Sequence, residues 1–525
     1  MATRSQTAAV LLAGALALAA CGSGGSKTPA AGGAAGKTLV IDTSFDLKTG
    51  DPGRTYEPTG LIVGKAAYET LLTFDGADVT KPVPALAESY ELSQDGKTLT
   101  LKLKKGPVFA DGSPVTADDV VFSLTRVRDM KGTPSFLLDG VEVAKEDDST
   151  IKLTSKAANP ALPFILPNPA LGIINSKAAK QHGATTDAKD KAEQYLNSAS
   201  LGSGPYTIES FNVSSQVVLK ANAKYYGTKP AYEKVVIRNV EAATQKLNVQ
   251  RGDSQVALNL SGDQVTGMPN TLQVKKTASA NVIFLLANQD SAISKTTTNA
   301  KFVEAVRKGV DYAGLLELAG EGSTQAPGVI PSQLLGALPA DQGAKRDVEG
   351  AKAALAASGL SNPSVKLEYP SELTVNGLSF QPLAERIQAN LKEVGITIEL
   401  APAPVATALD NYRNGKEEMG LWYWGPDYPD PSDYLAFLPG KTVGLRAGWK
   451  PGAAKEIEAA GEKAAATIGD DARRTVYQDV QTKLNAGGPF VPLIQPSQNI
   501  VTAATVTGLE YHPVWTVDVA DLGVK

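Results

Sequence analysis

The 525-residue chain has one cysteine, Cys21, and two histidines, His182 and His512. With one cysteine no disulfide can form within the chain, so stability has to come from apolar cores. Neither histidine has another His or Cys at metal-ligand spacing. That excludes a zinc or nickel site built from side chains. Each histidine reads as an ordinary surface or core residue. No run of five or six like charges occurs, and 51 basic residues nearly balance 55 acidic ones. A nucleic-acid partner needs a concentrated basic face and is not expected. No Gly-x-Ser-x-Gly segment stands out beyond the N-terminal Gly/Ser stretch, which speaks against a serine hydrolase. Long apolar runs are also absent except over residues 8–20, and that run is short of the about 20 residues a bilayer span requires.

What is present begins at that run. Arg4 precedes it, and Leu18-Ala19-Ala20-Cys21 closes it. A charged start, an apolar core and small residues before a cut site describe a secretory signal. Small residues followed by cysteine resemble the bacterial lipobox, in which the thiol is diacylated and the peptide is cut just before it. The expectation is a signal peptide over 1–20, lipidation at Cys21 and a flexible Gly/Ser/Ala tether over 21–36. A tether of about 15 such residues has an r.m.s. reach of roughly 20 Å.

The remaining body of about 490 residues is too long for one core, so two or more lobes are expected. Its patterning is mixed α/β. A strand is predicted from Lys37 to Asp42, and a turn and helix over 55–74 with Ala66, Ala67, Tyr68, Leu71 and Leu72 as its apolar residues. Residues 89–103 read as a hairpin turning at Asp95-Gly96, a pair that tolerates positive φ. Thr116 and Asp119 form a capping box before a helix. Further strands are predicted at 207–211, 215–221, 232–240, 281–288, 396–400 and 419–424. Helices are predicted at 301–318, 383–394 and, for the most part, 453–485, with Gly395 as a C-cap. Residues 489–501 read as extended.

Two long segments carry a resemblance. One runs Pro84-Ala85-Leu86-Ala87-Glu88-Ser89-Tyr90 and, after the Asp95-Gly96 turn, from Leu103 through Phe109-Ala110-Asp111-Gly112-Ser113-Pro114-Val115-Thr116-Ala117-Asp118-Asp119 to Leu124. The other is Trp424-Gly425-Pro426-Asp427-Tyr428-Pro429-Asp430-Pro431. With Gly204-Pro205-Tyr206, residues 225–230, 302–307 and 391–396, they resemble the family 5 extracellular solute-binding proteins, the binding components of peptide and nickel ABC importers. Pro107 and Ala110 depart mildly from the family pattern, at positions that serve the fold.

The resemblance implies an α/β, two-lobed Venus-flytrap fold with an extra subdomain inserted in the first lobe. Lobe I would comprise 37–57, 170–279 and 495–525, the inserted subdomain 58–169, and lobe II 280–494. The hinge would fall near 278–282 and 489–496. In peptide-binding members the Asp three residues after the Trp pairs with the ligand's α-ammonium; here that is Asp427. The backbone at Tyr423 and Gly425 would align with positions that bond the peptide main chain.

From the residues alone, Asp427 also reads as a turn residue before Tyr-Pro, capping backbone amides. Asp430 before Pro431 reads as a turn residue. Trp422 and Trp424 lie two apart, so a strand puts them on one face; the end of the strand is expected to break that pairing and leave Trp422 in the core and Trp424 at the cleft. Arg413 and Arg446 flank this cluster, and neither is assigned to a ligand carboxylate. Arg251-Gly252-Asp253 fits a structural turn better than an adhesion motif. The expected function is a lipid-anchored, monomeric receptor that delivers small peptides to membrane permease subunits, without catalysis or cofactor. A sugar, opine or metal chelate as ligand, and a surface sensor on the same scaffold, are the alternatives. The resemblance and Gly22 after the cysteine imply the outer face of a Gram-positive cell membrane.

Overall fold

Most of the predicted strands assemble into three β-sheets in a computed structural model that describes residues 37–525. The expected signal peptide, tether and Cys21 lie outside the described residues. Seven strands form a mixed sheet in the spatial order Leu272–Ala278, Ser497–Ala503, Val256–Ala257, Thr38–Thr43, Lys234–Asn239, Gln216–Ala221 and Tyr206–Asn212. A second mixed sheet has six strands: Thr324–Gln325, Phe490–Gln495, Val282–Ala287, Met419–Trp424, Ser364–Pro370 and Thr397–Ala403. A four-stranded antiparallel sheet follows the order Ala87–Leu92, Thr98–Leu103, Thr150–Ser155 and Val141–Lys145. The architecture is α/β and two-lobed, with one large sheet at the centre of each lobe.

Strand Val282–Ala287 is buried along its whole length. Its alternate residues enter different cores, as the period of two requires. Ile283 and Leu285 pack with Phe302, Leu383 and Ile387 on one face. Phe284 and Leu286 pack with Phe437, Phe490 and Trp422 on the other. Each such side chain contributes about 1.5–3 kcal/mol by leaving water. The chain passes from the seven-stranded to the six-stranded sheet through residues 279–281 and returns through Pro496. The two passages are tied together where Ser279 N–H donates to Pro496 O at 2.9 Å. Gln495 Nε2 also donates to Ser279 O at 2.9 Å.

Local signals explain several elements. The capping box forms at Thr116: its Oγ1 accepts from Asp119 N–H at 3.3 Å, and Asp119 Oδ2 accepts from Thr116 N–H at 3.0 Å. Gly395 ends helix Phe380–Val394 at φ 97°, where a side chain would be strained.

Three expectations need correcting. Residues 301–318 are two helices, Ala300–Gly309 and Tyr312–Ala319. Val310 turns extended, and Asp311 caps the second helix by accepting from Gly314 N–H at 3.2 Å. The helix expected within 55–74 covers only Pro58–Ala67; Tyr68 is extended, and Leu72 opens a strand. The stretch 453–485 breaks around Gly469, at φ 88°, into Lys455–Ala466 and Asp470–Gly487. The histidines occupy ordinary places: His512 is buried and stacked on Trp515 at 3.5 Å, and exposed His182 lies on Tyr195. Gly252 of Arg251-Gly252-Asp253 caps helix Ala242–Arg251 with left-handed backbone.

Candidate binding site

Strand Met419–Trp424 pairs along its whole length with Val282–Ala287, Trp424 lying opposite Val282 beside the passage at 279–281. On its other edge it pairs with strand Ser364–Pro370 only at Met419 and Gly420. Among the described residues no strand pairs with that edge from 421 to 424; Leu421 and Trp422 are buried there, and Tyr423 and Trp424 are partly exposed. An extended peptide could therefore add its main chain there.

Side chains alternate along the strand. Trp422 and Trp424 share one face, and Tyr423 lies on the other. Trp422 is 3% exposed and stacks on Tyr412 at 4.4 Å. Its indole N–H donates to Glu417 at 3.1 and 2.8 Å. Trp422 is thus a floor under the site, with its polar atom already satisfied. Trp424 is half-buried, meets Phe437 edge-on at 6.0 Å and donates its indole N–H to Asp433 Oδ2 at 3.1 Å. Half-buried Tyr423 faces toward Asp46, and burial pushes its hydroxyl above the usual range. Gly425 abuts Asn281, where a Cβ would come within 2.3 Å of the amide oxygen. A side chain at Gly425 would have to displace that amide, beside the passage between the lobes.

Asp427 sits where the lobes touch. Its Oδ1 accepts from Tyr56 O–H at 2.8 Å, and its backbone carbonyl accepts from Asn168 Nδ2 at 3.3 Å. Its own N–H donates to Asp433 Oδ2 at 3.2 Å. Asp433, unnoticed in the sequence, lies within the short helix Pro431–Phe437 and is buried. Burial and then the charge of Asp427 push the Asp433 carboxyl well above the usual range. Burial also raises Asp427, against opposing hydrogen bonds from Tyr56 and Asp433 and the more distant charge of Arg446. Neither carboxylate is in an ion pair among the described residues. A buried carboxylate beside a half-buried one, with no ion-pair partner for either, is costly, and a cation placed beside them relieves both.

The turn role falls to Asp430, not to the Asp427 side chain. Asp430 accepts from Ser432 N–H at 2.9 Å and forms a buried ion pair with Arg473 at 2.6 Å. Arg413 is exposed at the end of helix Val405–Arg413. Arg446 is half-buried, with its guanidinium 4.8 Å from the centre of the Tyr412 ring and 5.6 Å from that of Trp424. Sequence reasoning missed Tyr56, Asn168 and Asp433. The first two lie far from Asp427 in the chain, and no local pattern marks them.

Glu417 lies beneath this site, and burial pushes its carboxyl up to about 9. It ionises freely when unfolded, so its contribution to stability is full below about 4.5 and is lost as pH rises toward about 9. Glu417→Gln therefore flattens that decline. After allowance for an extra amide N–H without an acceptor, it gains about 1 kcal/mol at pH 7. Urea unfolding of both proteins from pH 5 to 8 measures the two slopes.

A family model described as bacterial extracellular solute-binding proteins, family 5 middle, matches residues 81–444. A probable D,D-dipeptide-binding periplasmic protein of Escherichia coli is 28% identical over 487 residues, spanning 90% of this chain and 92% of that protein. Among solved structures, an ABC transporter substrate-binding protein, CtaP, of Listeria monocytogenes superposes with TM-score 0.82 at 20% identity, over 93% of this chain and 99% of that one. DppA of Helicobacter pylori in complex with the peptide STSA gives TM-score 0.75 at 21% identity, over 93% and 98%.

Proposed function

Because the chain belongs to the bacterial extracellular solute-binding proteins of family 5, we propose that it captures small peptides between its two lobes and delivers them to an ABC permease. The observation that carries this reading is the Asp427–Asp433 pair: two carboxylates without a counter-ion, at the contact between the lobes. A peptide's α-ammonium supplies the missing cation, and the unpaired, partly exposed edge at Tyr423 and Trp424 supplies main-chain partners. Trp424 gives apolar area beside them. The names of the similar proteins point the same way, toward dipeptides in one and a bound peptide in another.

No covalent step is needed. The lobes, in the proposed division 37–57, 170–279 and 495–525 against 280–494, close about residues 279–281 and 496. Ligand shifts that balance only through contacts made in the closed form. Tyr56, reaching Asp427 from the other lobe, is one such closed-form contact.

Calorimetry with di- and tripeptides tests the reading. Saturable binding in the micromolar range or tighter, with each peptide recovered intact, is expected. Hydrolysis of the bound peptide, or no binding by any, overturns it.

Cys21 is proposed to hold the mature protein to the outer face of a membrane through its lipid, and 21–36 to act as the tether. Cys21→Ser should move the protein from the membrane fraction to the medium on fractionation of expressing cells. Equal membrane retention of both forms would contradict the anchor.

A further inference from the structure

The Asp95-Gly96 turn forms the tip of the hairpin between strands Ala87–Leu92 and Thr98–Leu103. Such tips ordinarily lie open to water, yet Gly96 is buried. Ala158 supplies part of the cover: its Cβ would stand 3.4 Å from a Cβ built on Gly96. Ile468 lies closer still, with its Cδ1 only 2.8 Å from that position. The turn therefore favours glycine twice over, through its φ of 67° and through the side chain seated on it. Half-buried Ile468 lies in the break between helices Lys455–Ala466 and Asp470–Gly487. The same two segments meet at a second point. Burial and then the charge of Asp470 raise the hydroxyl of Tyr90, which is on the hairpin.

The two sides of this contact are fixed to different bodies. Helix Asp470–Gly487 shares a core with Phe284 and Phe490 of the six-stranded sheet through Tyr477 and Leu484. The hairpin belongs to the four-stranded sheet. Helix Ala117–Met130 packs on that sheet and sends buried Arg126 to Asp51 and Asp190, in the proposed lobe of the seven-stranded sheet. Those ion pairs cannot part without leaving buried charge behind, so the hairpin travels with that lobe. Ile468 travels with the other. Their contact is apolar, and no group of the Asp427 site takes part in it. Parting it exposes a side chain to water but strands no buried donor, acceptor or charge, so it opens and re-forms at small cost.

We infer that Ile468, seated on the Gly96 turn, is a latch that holds the lobes together whatever lies between them, and so slows the release of every captured solute alike. This rests on the reading that the lobes close around a solute. A solute held between two lobes leaves only after they part. A contact made only when they meet therefore acts on the rate of release and not on the choice of ligand. Asp427 would then govern which solute is held, and Ile468 for how long.

Stopped-flow release of two dipeptides with unlike side chains from the full mature protein tests it. Ile468→Ala should speed the release of both by the same factor, about three- to tenfold, with an unchanged melting temperature. Ile468→Val, which keeps most of the contact, should stay near the wild type. Gly96→Ala puts a methyl group into the seat of Ile468 and should speed release as well. The double variant Gly96→Ala/Ile468→Ala should be no faster than the faster single one, because both break one contact. Unchanged release in Ile468→Ala would overturn the latch. Faster release of one dipeptide only would make Ile468 part of the ligand pocket and overturn it too, as would additive effects in the double variant. Should the wild type bind neither dipeptide, the peptide-capture reading fails and the latch falls with it.

Discussion

Asp427→Asn lowers the affinity for a free-amine dipeptide by about 30-fold or more and leaves an N-acetylated dipeptide nearly unaffected. The size follows from the setting. Asp427 is half-buried and flanked by Tyr56 and Asp433 at the contact between the lobes, where water screens less than on an open surface. Removing one partner of such a hydrogen-bonded charge pair costs about 2–5 kcal/mol, and every 1.4 kcal/mol is about tenfold. Asn keeps the shape and an acceptor oxygen for Tyr56, so closure itself should survive. The pH dependence separates the two proteins further. Burial raises the Asp427 carboxyl, and the ammonium needs it ionised. Wild-type affinity for the free-amine peptide therefore falls as pH drops through the raised value, whereas the Asn variant is flat. Calorimetry at several pH values reads both effects. Equal losses for free and acetylated peptides would remove Asp427 as the ammonium partner.

Arg126→Met destabilises the fold by about 3–5 kcal/mol, the usual cost of stripping one partner from a buried ion pair. Arg126 is 1% exposed and serves two carboxylates. It meets Asp51 at 2.8 and 2.5 Å and Asp190 at 2.7 and 2.8 Å. Methionine fills much of the volume but leaves both acids buried, with only half-buried Arg54 nearby. The consequence reaches the site. Asp51 O accepts from Arg54 N–H and Thr55 N–H, each at 3.0 Å, forming the turn that presents Tyr56 to Asp427. Peptide affinity should weaken along with stability. Arg126 holds the Asp190 carboxyl below the usual range in spite of burial. That part of the stability is present above the ordinary carboxylate value and is lost as pH falls through the lowered one. Denaturant unfolding should show the full loss at pH 7 and a smaller one in acid. The triple variant Arg126→Met/Asp51→Asn/Asp190→Asn should recover part of it. A loss under about 1 kcal/mol at pH 7 would mean the triad is not a structural anchor.

How legible each feature was depended on how local its cause is. Asp95-Gly96, the Thr116–Asp119 box and Gly395 each act within a few residues, and all three lie where the sequence puts them. Period two in Trp422 and Trp424 placed both rings on one face, and strand depth then separated floor from rim. The break at Val310-Asp311 was readable in principle, since Asp is a strong N-cap, but the apolar period continued across it and masked the stop. The Arg126 triad was not readable at all. Asp51, Arg126 and Asp190 carry no local signal, and only the fold brings them together. The same holds for Tyr56 and Asn168 at Asp427. Asp433 looks like an ordinary acidic residue early in a short helix, and its importance comes from burial alone.

The most direct measurement of the central claim is a crystal structure of the mature protein with a bound dipeptide. The account predicts the peptide between the lobes, its α-ammonium within hydrogen-bond distance of Asp427, its main chain along the unpaired edge at Tyr423 and Trp424, and the Trp424 ring against it. A dipeptide bound elsewhere, or bound between the lobes with its amino end away from Asp427 and Asp433, would contradict it.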